Sequence, residues 1–279
     1  MERKFDLLQD IRSKVLVAAH RGVMGGNVPG NTITAFEAAL NQGADMLELD
    51  ITRSNDGVLY VFHPGMEPVF LRSDRYITDM HSSEVDQLVY HNADATPTQY
   101  HIHRFDEVLE QFKGRCYLNI DKFWMWMDEI AQTIRRHGMQ EQVLVKTPDK
   151  PEYFDMVEQI APDMPFMTIA WHEDKISEHL MKRRMRFVGI EALFERDNEL
   201  IASREYIDWM HSNGLMVWCN AIIYNYKAVL AGGHSDDISV AGRMDEGWGW
   251  IADRGFDIIQ TDWPMPLTHY LNKTGKRNR

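Results

Sequence analysis

Glu48 and Asp50 stand two residues apart in the run MLELDITR, residues 46–53, and His63 closes the next apolar run, VLYVFH. In a strand, side chains alternate between faces, so Met46, Glu48 and Asp50 share one face while Leu47, Leu49 and Ile51 share the other. Two like charges on one face of a buried strand are costly unless something positive lies between them, most simply a divalent cation. A second histidine, His20, ends another apolar run, VLVAAH at 15–20. Imidazole takes and gives protons near neutral pH. A lone histidine in such a place is ordinarily a packed, hydrogen-bonded residue, but two beside a carboxylate pair point to acid–base work.

Eight short apolar runs read as strands, near 15–20, 45–51, 116–121, 142–147, 166–171, 187–193, 215–221 and 257–262. Helical patterns separate them, several ending in Gly as a helix C-cap does. This alternation implies parallel strands joined by right-handed crossovers, and eight such units close into an α/β barrel of the TIM type. An open doubly wound sheet is the alternative, weakened because no Gly-rich dinucleotide fingerprint follows the first run. GVLYVFH, 57–63, is an extra short strand after the turn SNDG, so the second unit carries an excursion before its helix. The weakly periodic stretch at about 64–104 reads as an insertion over the barrel mouth. The whole chain, 1–279, is expected to form one barrel domain.

In such barrels the chemistry sits at the C-terminal ends of the strands. Those ends are polar here: His20-Arg21, Glu48 and Asp50, Asn119 with Asp121 and Lys122, Lys146, Glu191, Trp218 and Asn220, and Gln260 with Asp262. Carboxylates from two neighbouring strands suit an oxygen-liking cation such as Mg²⁺ or Ca²⁺. An ion-paired network with Arg21, Lys122 and Lys146 fits the same residues equally well.

Of the 279 residues 44% are hydrophobic and 26% charged, so a sizeable core is expected. Forty-two acidic against thirty basic residues give a net charge of −12, which argues against nucleic acid as a partner. Cys116 and Cys219 both lie in apolar runs and read as buried thiols, in keeping with a reducing compartment. The N-terminal segment MERKFDLLQDIRSK lacks the apolar core of an export signal, and no run reaches the roughly 18 apolar residues of a membrane span. A cytoplasmic protein acting on a small molecule, with no stable membrane insertion, is expected; a homo-oligomer remains open.

The motifs carry a specific resemblance. AAHRG, followed by PGNTITAFEAALNQGADMLELDITRSNDGVLYVFH, resembles the glycerophosphodiester phosphodiesterase family, relatives of the phosphatidylinositol-specific phospholipase C barrels, in the order and spacing of its His-Arg-Gly, Asn-Thr, Gly-Ala-Asp, Glu-x-Asp, Asp-Gly and closing His. LNIDK and GFDIIQTDWP resemble its third and last strands, so the likeness runs from about 15 to 265. It implies a divalent cation on Glu48, Asp50 and Asp121, with His20 and His63 as the acid and base pair. Arg21, Lys146 and Lys122 are then candidates for the phosphate. The implied reaction is hydrolysis of a glycerophosphodiester to glycerol phosphate and an alcohol, through attack by a neighbouring glycerol hydroxyl.

The sequence also departs from that pattern. Gly30 stands where the family usually has Glu, Pro64 follows the closing histidine in place of Asp, and Asp121-Lys122 replaces Glu-x-Lys. In a regular strand Lys122 would point away from Asp121. The loop AGGHSDDISVAGRMDEGWGW, 231–250, offers His234 and acids either to a polar substrate group or to helix capping. Trp218 and Asn220 are candidates for a substrate pocket, although Trp218 suits core packing equally. Trp124 reads as helix packing, and His101 and His103 as part of a surface strand. A sugar or inositol phosphodiester, or a catalytically silent barrel that binds a phosphorylated ligand, are the competing functions.

Overall fold

A computed structural model describes residues 4–173, 175–223 and 227–278. Residues 1–3 of the N-terminal segment and Asp174 of the helical segment 173–185 lie outside the described residues.

The strands are β1 (Leu16–His20), β2 (Met46–Arg53), β3 (Leu59–Val61), β4 (Val89–His91), β5 (Pro97–His101), β6 (Tyr117–Asp121), β7 (Val143–Pro148), β8 (Phe166–Ala170), β9 (Phe187–Ala192), β10 (Met216–Asn220) and β11 (Ile258–Thr261). β1, β2 and β6–β11 are parallel, in the order β1-β11-β10-β9-β8-β7-β6-β2, and β1 pairs with β2 to close the barrel. All eight lie where the apolar runs predict them. β3 is the extra strand, antiparallel to β2.

Alternation along each strand builds two cores. Leu47, Leu49 and Ile51 point outward with Leu118, Ile120 and Val145 against the helices. Leu16, Ala18, Met46, Tyr117, Leu144, Met167, Met216, Trp218 and Ile258 point inward. Each of the larger of these side chains, fully buried, contributes about 1.5–3 kcal/mol through loss of apolar surface to water. One step further along several strands the inward residues become His20, Glu48, Asn119, Lys146, Asn220 and Gln260. The barrel interior is therefore apolar at its base and polar at its mouth.

The base is stoppered by a helix that the sequence reading leaves out, Leu7–Ser13. Phe5, Leu7 and Ile11 join the inner core, with Phe5 edge-on to Tyr117 at 5.0 Å. The Tyr117 hydroxyl accepts from the Asp6 backbone N–H at 3.0 Å and donates to Asp10 at 2.8 Å.

The stretch at 64–104 has more order than its composition suggests. It holds two one-turn helices, Glu67–Phe70 and Ser82–Val85, and the β4–β5 hairpin. Leu71, Ile77, Met80, Val85, Tyr90 and Ile102 form a separate small core with Tyr60 and Phe62. His101 is exposed on β5, as a surface strand requires. Cys116 and Cys219 are buried and unbridged. Among the described residues, no helix is long and apolar enough to cross a membrane.

Candidate active site

The site begins with two tight turns around Asp50. At the end of β1, Arg21 and Gly22 adopt φ of 55° and 79°, turning the chain at once into the loop before the helix Ile33–Asn41. Gly22 is required there: a Cβ on it would lie 2.6 Å from the backbone carbon of Ala35. The turn puts the Arg21 Nε 2.9 Å from Asp50 Oδ2. Asn31, also left-handed at φ 59°, donates from Nδ2 to the same oxygen at 2.9 Å. Thr32 then caps the helix by accepting from the Ala35 N–H. The His-Arg-Gly and Asn-Thr motifs are thus two turns that hold one carboxylate.

Parallel register sets Glu48 beside Asn119 and Asp50 beside Asp121. One oxygen from each of Glu48, Asp50 and Asp121 lies within 4.8 Å of the others. Burial, and then the charge of Asp50, pushes the Glu48 carboxyl up to about 7. Burial alone would raise Asp121 too, but Lys146 and Lys122 hold it well below the usual carboxylate range. Asp50 Oδ1 is buried without a hydrogen-bond partner among the described residues. A buried carboxylate oxygen left unpaired beside two further carboxylates is a donor set that fits a hard divalent cation.

Lys122 departs from the regular strand. Its φ of 59° ends β6 and swings the side chain back, so that Nζ lies 3.0 Å from Asp121 Oδ2 and the backbone N–H donates to Oδ1 at 2.8 Å. The expectation that it points away from Asp121 fails because Lys122 is left-handed, not extended, so the alternation of faces does not carry on past Asp121. Lys146 is buried below the acids, 3.0 Å from Glu191 Oε2 and 3.9 Å from Glu48 Oε1. These carboxylates, with Asp121, outweigh burial and keep it firmly protonated.

The two histidines are anchored differently. His20 aligns with Glu48 across β1 and β2, and its Nδ1–H donates to Asp262 Oδ1 at 2.9 Å. Burial would lower its pKa, but the Asp262 hydrogen bond and the charge of Glu48 raise it on balance. His63 donates from Nδ1 to the carbonyl of Pro64 at 2.9 Å, and its Nε2 stands 3.8 Å from Asp50 Oδ1. Burial, helped by Arg21 and Lys122 and opposed by Asp50, lowers its pKa. Pro64, a departure in the sequence, therefore orients His63 through its backbone.

Of the other candidates, Trp218 and Asn220 adjoin the Lys146–Glu191 pair, with the Lys146 ammonium 5.8 Å from the centre of the Trp218 ring. Trp218 is buried in the inner core and donates from Nε1 to Asn220 Oδ1, while Asn220 donates to Glu191 at 2.7 Å. His234 ties its loop to the segment after β9: its ring stacks on Trp250 at 3.8 Å, with Nδ1 on the Glu246 carbonyl and Nε2 on Asp197. Trp124 packs near Tyr153, with Lys122 over its ring.

Three site residues escape the sequence reading as partners. Asp262 and Glu191 appear there as polar strand ends without a role, and Asn31 as part of a motif. The polar end of β11 is the signal for Asp262, but its partner, His20, is 242 residues away.

A family model described as a domain of unknown function matches residues 164–271. The glycerophosphodiester phosphodiesterase of Caldanaerobacter subterraneus subsp. tengcongensis is 40% identical over 75 residues, 27% of this chain and 30% of that protein. This alignment thus spans under a third of that relative's length. Lysophospholipase D GDPD3 of Mus musculus is 24% identical over 97% of this chain and 87% of its own. A glycerophosphoryl diester phosphodiesterase structure from Parabacteroides distasonis superposes with a TM-score of 0.74 at 18% identity, covering 97% of this chain and 93% of that one. In sequence and in fold the chain is similar to the glycerophosphodiester phosphodiesterases. The barrel expected from the alternation of strands and helices, and the β3 excursion, are both present.

Proposed function

We propose that this protein is a phosphodiesterase that hydrolyses a glycerophosphodiester to glycerol phosphate and an alcohol. The observation that carries this reading is the meeting, at one barrel mouth, of three clustered carboxylates with two histidines, one aligned with Glu48 and the other 3.8 Å from Asp50. The likeness to glycerophosphodiester phosphodiesterases supports the reaction class.

Glu48, Asp50 and Asp121 would hold a divalent cation, Mg²⁺ or Ca²⁺, and such an ion supplies charge neutralisation at a phosphodiester oxygen. Arg21, fixed by Asp50, adds a guanidinium for a second oxygen, with Lys122 beside it. Lys146 is too deeply held by Glu191 to move to the substrate and serves as counter-charge for the acids. His63, whose Nδ1–H is spent on Pro64, keeps a free Nε2 lone pair and takes the proton of the neighbouring glycerol hydroxyl. That oxygen attacks phosphorus and the bond to the departing alcohol breaks. His20, held in its protonated form by Asp262, gives its Nε2 proton to the leaving oxygen. Water then opens the cyclic phosphate with the two histidines in exchanged roles.

The test is release of glycerol phosphate from glycerophosphocholine, with EDTA, Mg²⁺, Ca²⁺ or Mn²⁺ added in turn. Metal-dependent release, abolished in His20→Ala and His63→Ala while both variants still bind the cation, is expected. Undiminished turnover in either variant refutes the histidine roles; no release with any metal refutes the reaction.

A further inference from the structure

Tyr90 belongs to the insertion, yet it faces the barrel mouth. It lies on β4, is 2% exposed, and packs its ring 5.9 Å from that of Phe62, the residue before His63. Its backbone is pinned, the carbonyl accepting from Thr98 Oγ1 at 2.9 Å. The hydroxyl is buried and has no hydrogen-bond partner among the described residues. Natural proteins rarely leave such a group unpaired without a use for it.

The hydroxyl's surroundings indicate what that use is. Tyr90 lines a small cavity with Arg21, Asn31, His63, Met24 and Phe70. Where the family resemblance leads one to expect Glu at position 30, Gly30 is covered by Met24, whose sulfur lies 2.6 Å from the place a Cβ would take. Thus the wall facing Arg21 and His63 is apolar apart from the phenol. The cavity has a volume of about 10 Å³, room for about one oxygen-sized group beside the phenol. Burial, reinforced by the charge of Asp50, keeps the phenol protonated at any working pH, so it can donate a hydrogen bond.

We propose that Tyr90 is a substrate-binding residue, whose O–H donates to a phosphoryl oxygen of the bound phosphodiester beside Arg21. This rests on the phosphodiesterase reading above. The insertion then does more than cover the mouth: it contributes one hydrogen-bond donor to the site.

The test compares the full-length protein with Tyr90→Phe, using Tyr76→Phe, an exposed tyrosine of the same insertion, as control. Three quantities are measured: kcat/KM on glycerophosphocholine, affinity for glycerol 3-phosphate by calorimetry, and ligand-free Tm. The expected result for Tyr90→Phe is a 10- to 50-fold fall in kcat/KM, glycerol 3-phosphate binding weakened about tenfold, and a Tm that is unchanged or higher. Tyr76→Phe should leave all three unchanged. If Tyr90→Phe keeps both constants within twofold, or loses affinity only together with a lowered ligand-free Tm, the proposal is overturned. Should the wild type release no product, the phosphodiesterase reading fails, and the calorimetric comparison still decides the Tyr90 contact; a wild type that binds no glycerol 3-phosphate overturns it.

Discussion

Lys146 offers the sharpest test of the electrostatics beneath the site. Its ammonium lies 3.0 Å from Glu191 and 3.9 Å from Glu48, with the side chain 4% exposed. At an effective dielectric of ~20 these separations give gross attractions of about 5.5 and 4 kcal/mol. Desolvation of the buried charges offsets most of that in the native protein. Lys146→Met removes the attraction and leaves the desolvation, so the loss is expected to be about 3–5 kcal/mol, the usual cost of stripping one partner from a buried pair. Methionine is of similar size, which keeps the cavity contribution small. The remaining acids can recover part of the loss by taking up protons. Glu48, already pushed up to about 7, is the first to do so. A carboxyl whose folded pKa lies above its unfolded value favours the folded state at low pH and loses that contribution as pH rises. The Lys146→Met penalty should therefore be smaller at pH 6 than at pH 8. Urea denaturation of the wild type, Lys146→Met, Glu191→Gln and the double variant at both pH values reads this directly. The double variant should recover about 2 kcal/mol relative to the sum of the singles. Additive single effects, or a Lys146→Met protein within about 0.5 kcal/mol of wild type, would refute the network.

Three further outcomes follow from the same geometry. Cation binding must displace the proton that burial keeps on Glu48, so affinity for Mg²⁺ or Ca²⁺ should rise about tenfold per pH unit below about 7 and level off above it; calorimetric titration from pH 5.5 to 8.5 checks this, and a flat profile sinks it. Asp236 accepts from Trp248 Nε1, Thr261 Oγ1 and the backbone N–H of Asp262, the residue that holds His20. Asp236→Asn turns an acceptor into a donor in that cluster, costing about 1–3 kcal/mol, and should lower kcat more than it raises KM; an unchanged kcat in a destabilised variant would show that Asp236 has no hold on His20. Gly22→Ala places a Cβ 2.6 Å from Ala35 backbone at a φ of +79°. It should cost about 2–4 kcal/mol, visible in thermal denaturation, and a Tm equal to wild type would mean the first turn is not as tight as described.

What the sequence makes legible, and what it does not, follows from the distance over which each signal acts. β2 is readable because alternation is a local property: the period of two that hides Leu47 and Leu49 also aligns Glu48 with Asp50. The Gly22 turn, at φ 79°, is of a kind glycine adopts far more readily than other residues. Lys122 misleads because a single left-handed residue cancels the rule that neighbours face opposite ways. The His20–Asp262 bond spans the whole barrel closure, and no local pattern carries it. The insertion hides its order for another reason: its one-turn helices and short hairpin are too brief to display a period, so only the joint burial of Leu71, Ile77, Val85 and Tyr90 reveals it.

Within the charged layer two kinds of constraint fix the side chains. Residues whose neighbours lie on adjacent strands, Glu48, Asp50 and Asp121, are fixed by register, and any regular barrel with this sequence brings them together. The residues that orient the histidines, Asp262 and Pro64, are fixed instead by where β11 and the β3 excursion end. A change in loop length after β3 would leave the carboxylate cluster intact while turning His63 away from Asp50. Cation affinity and turnover should therefore part company in loop variants on that side: the first depends on the strands, the second on how the chain leaves them.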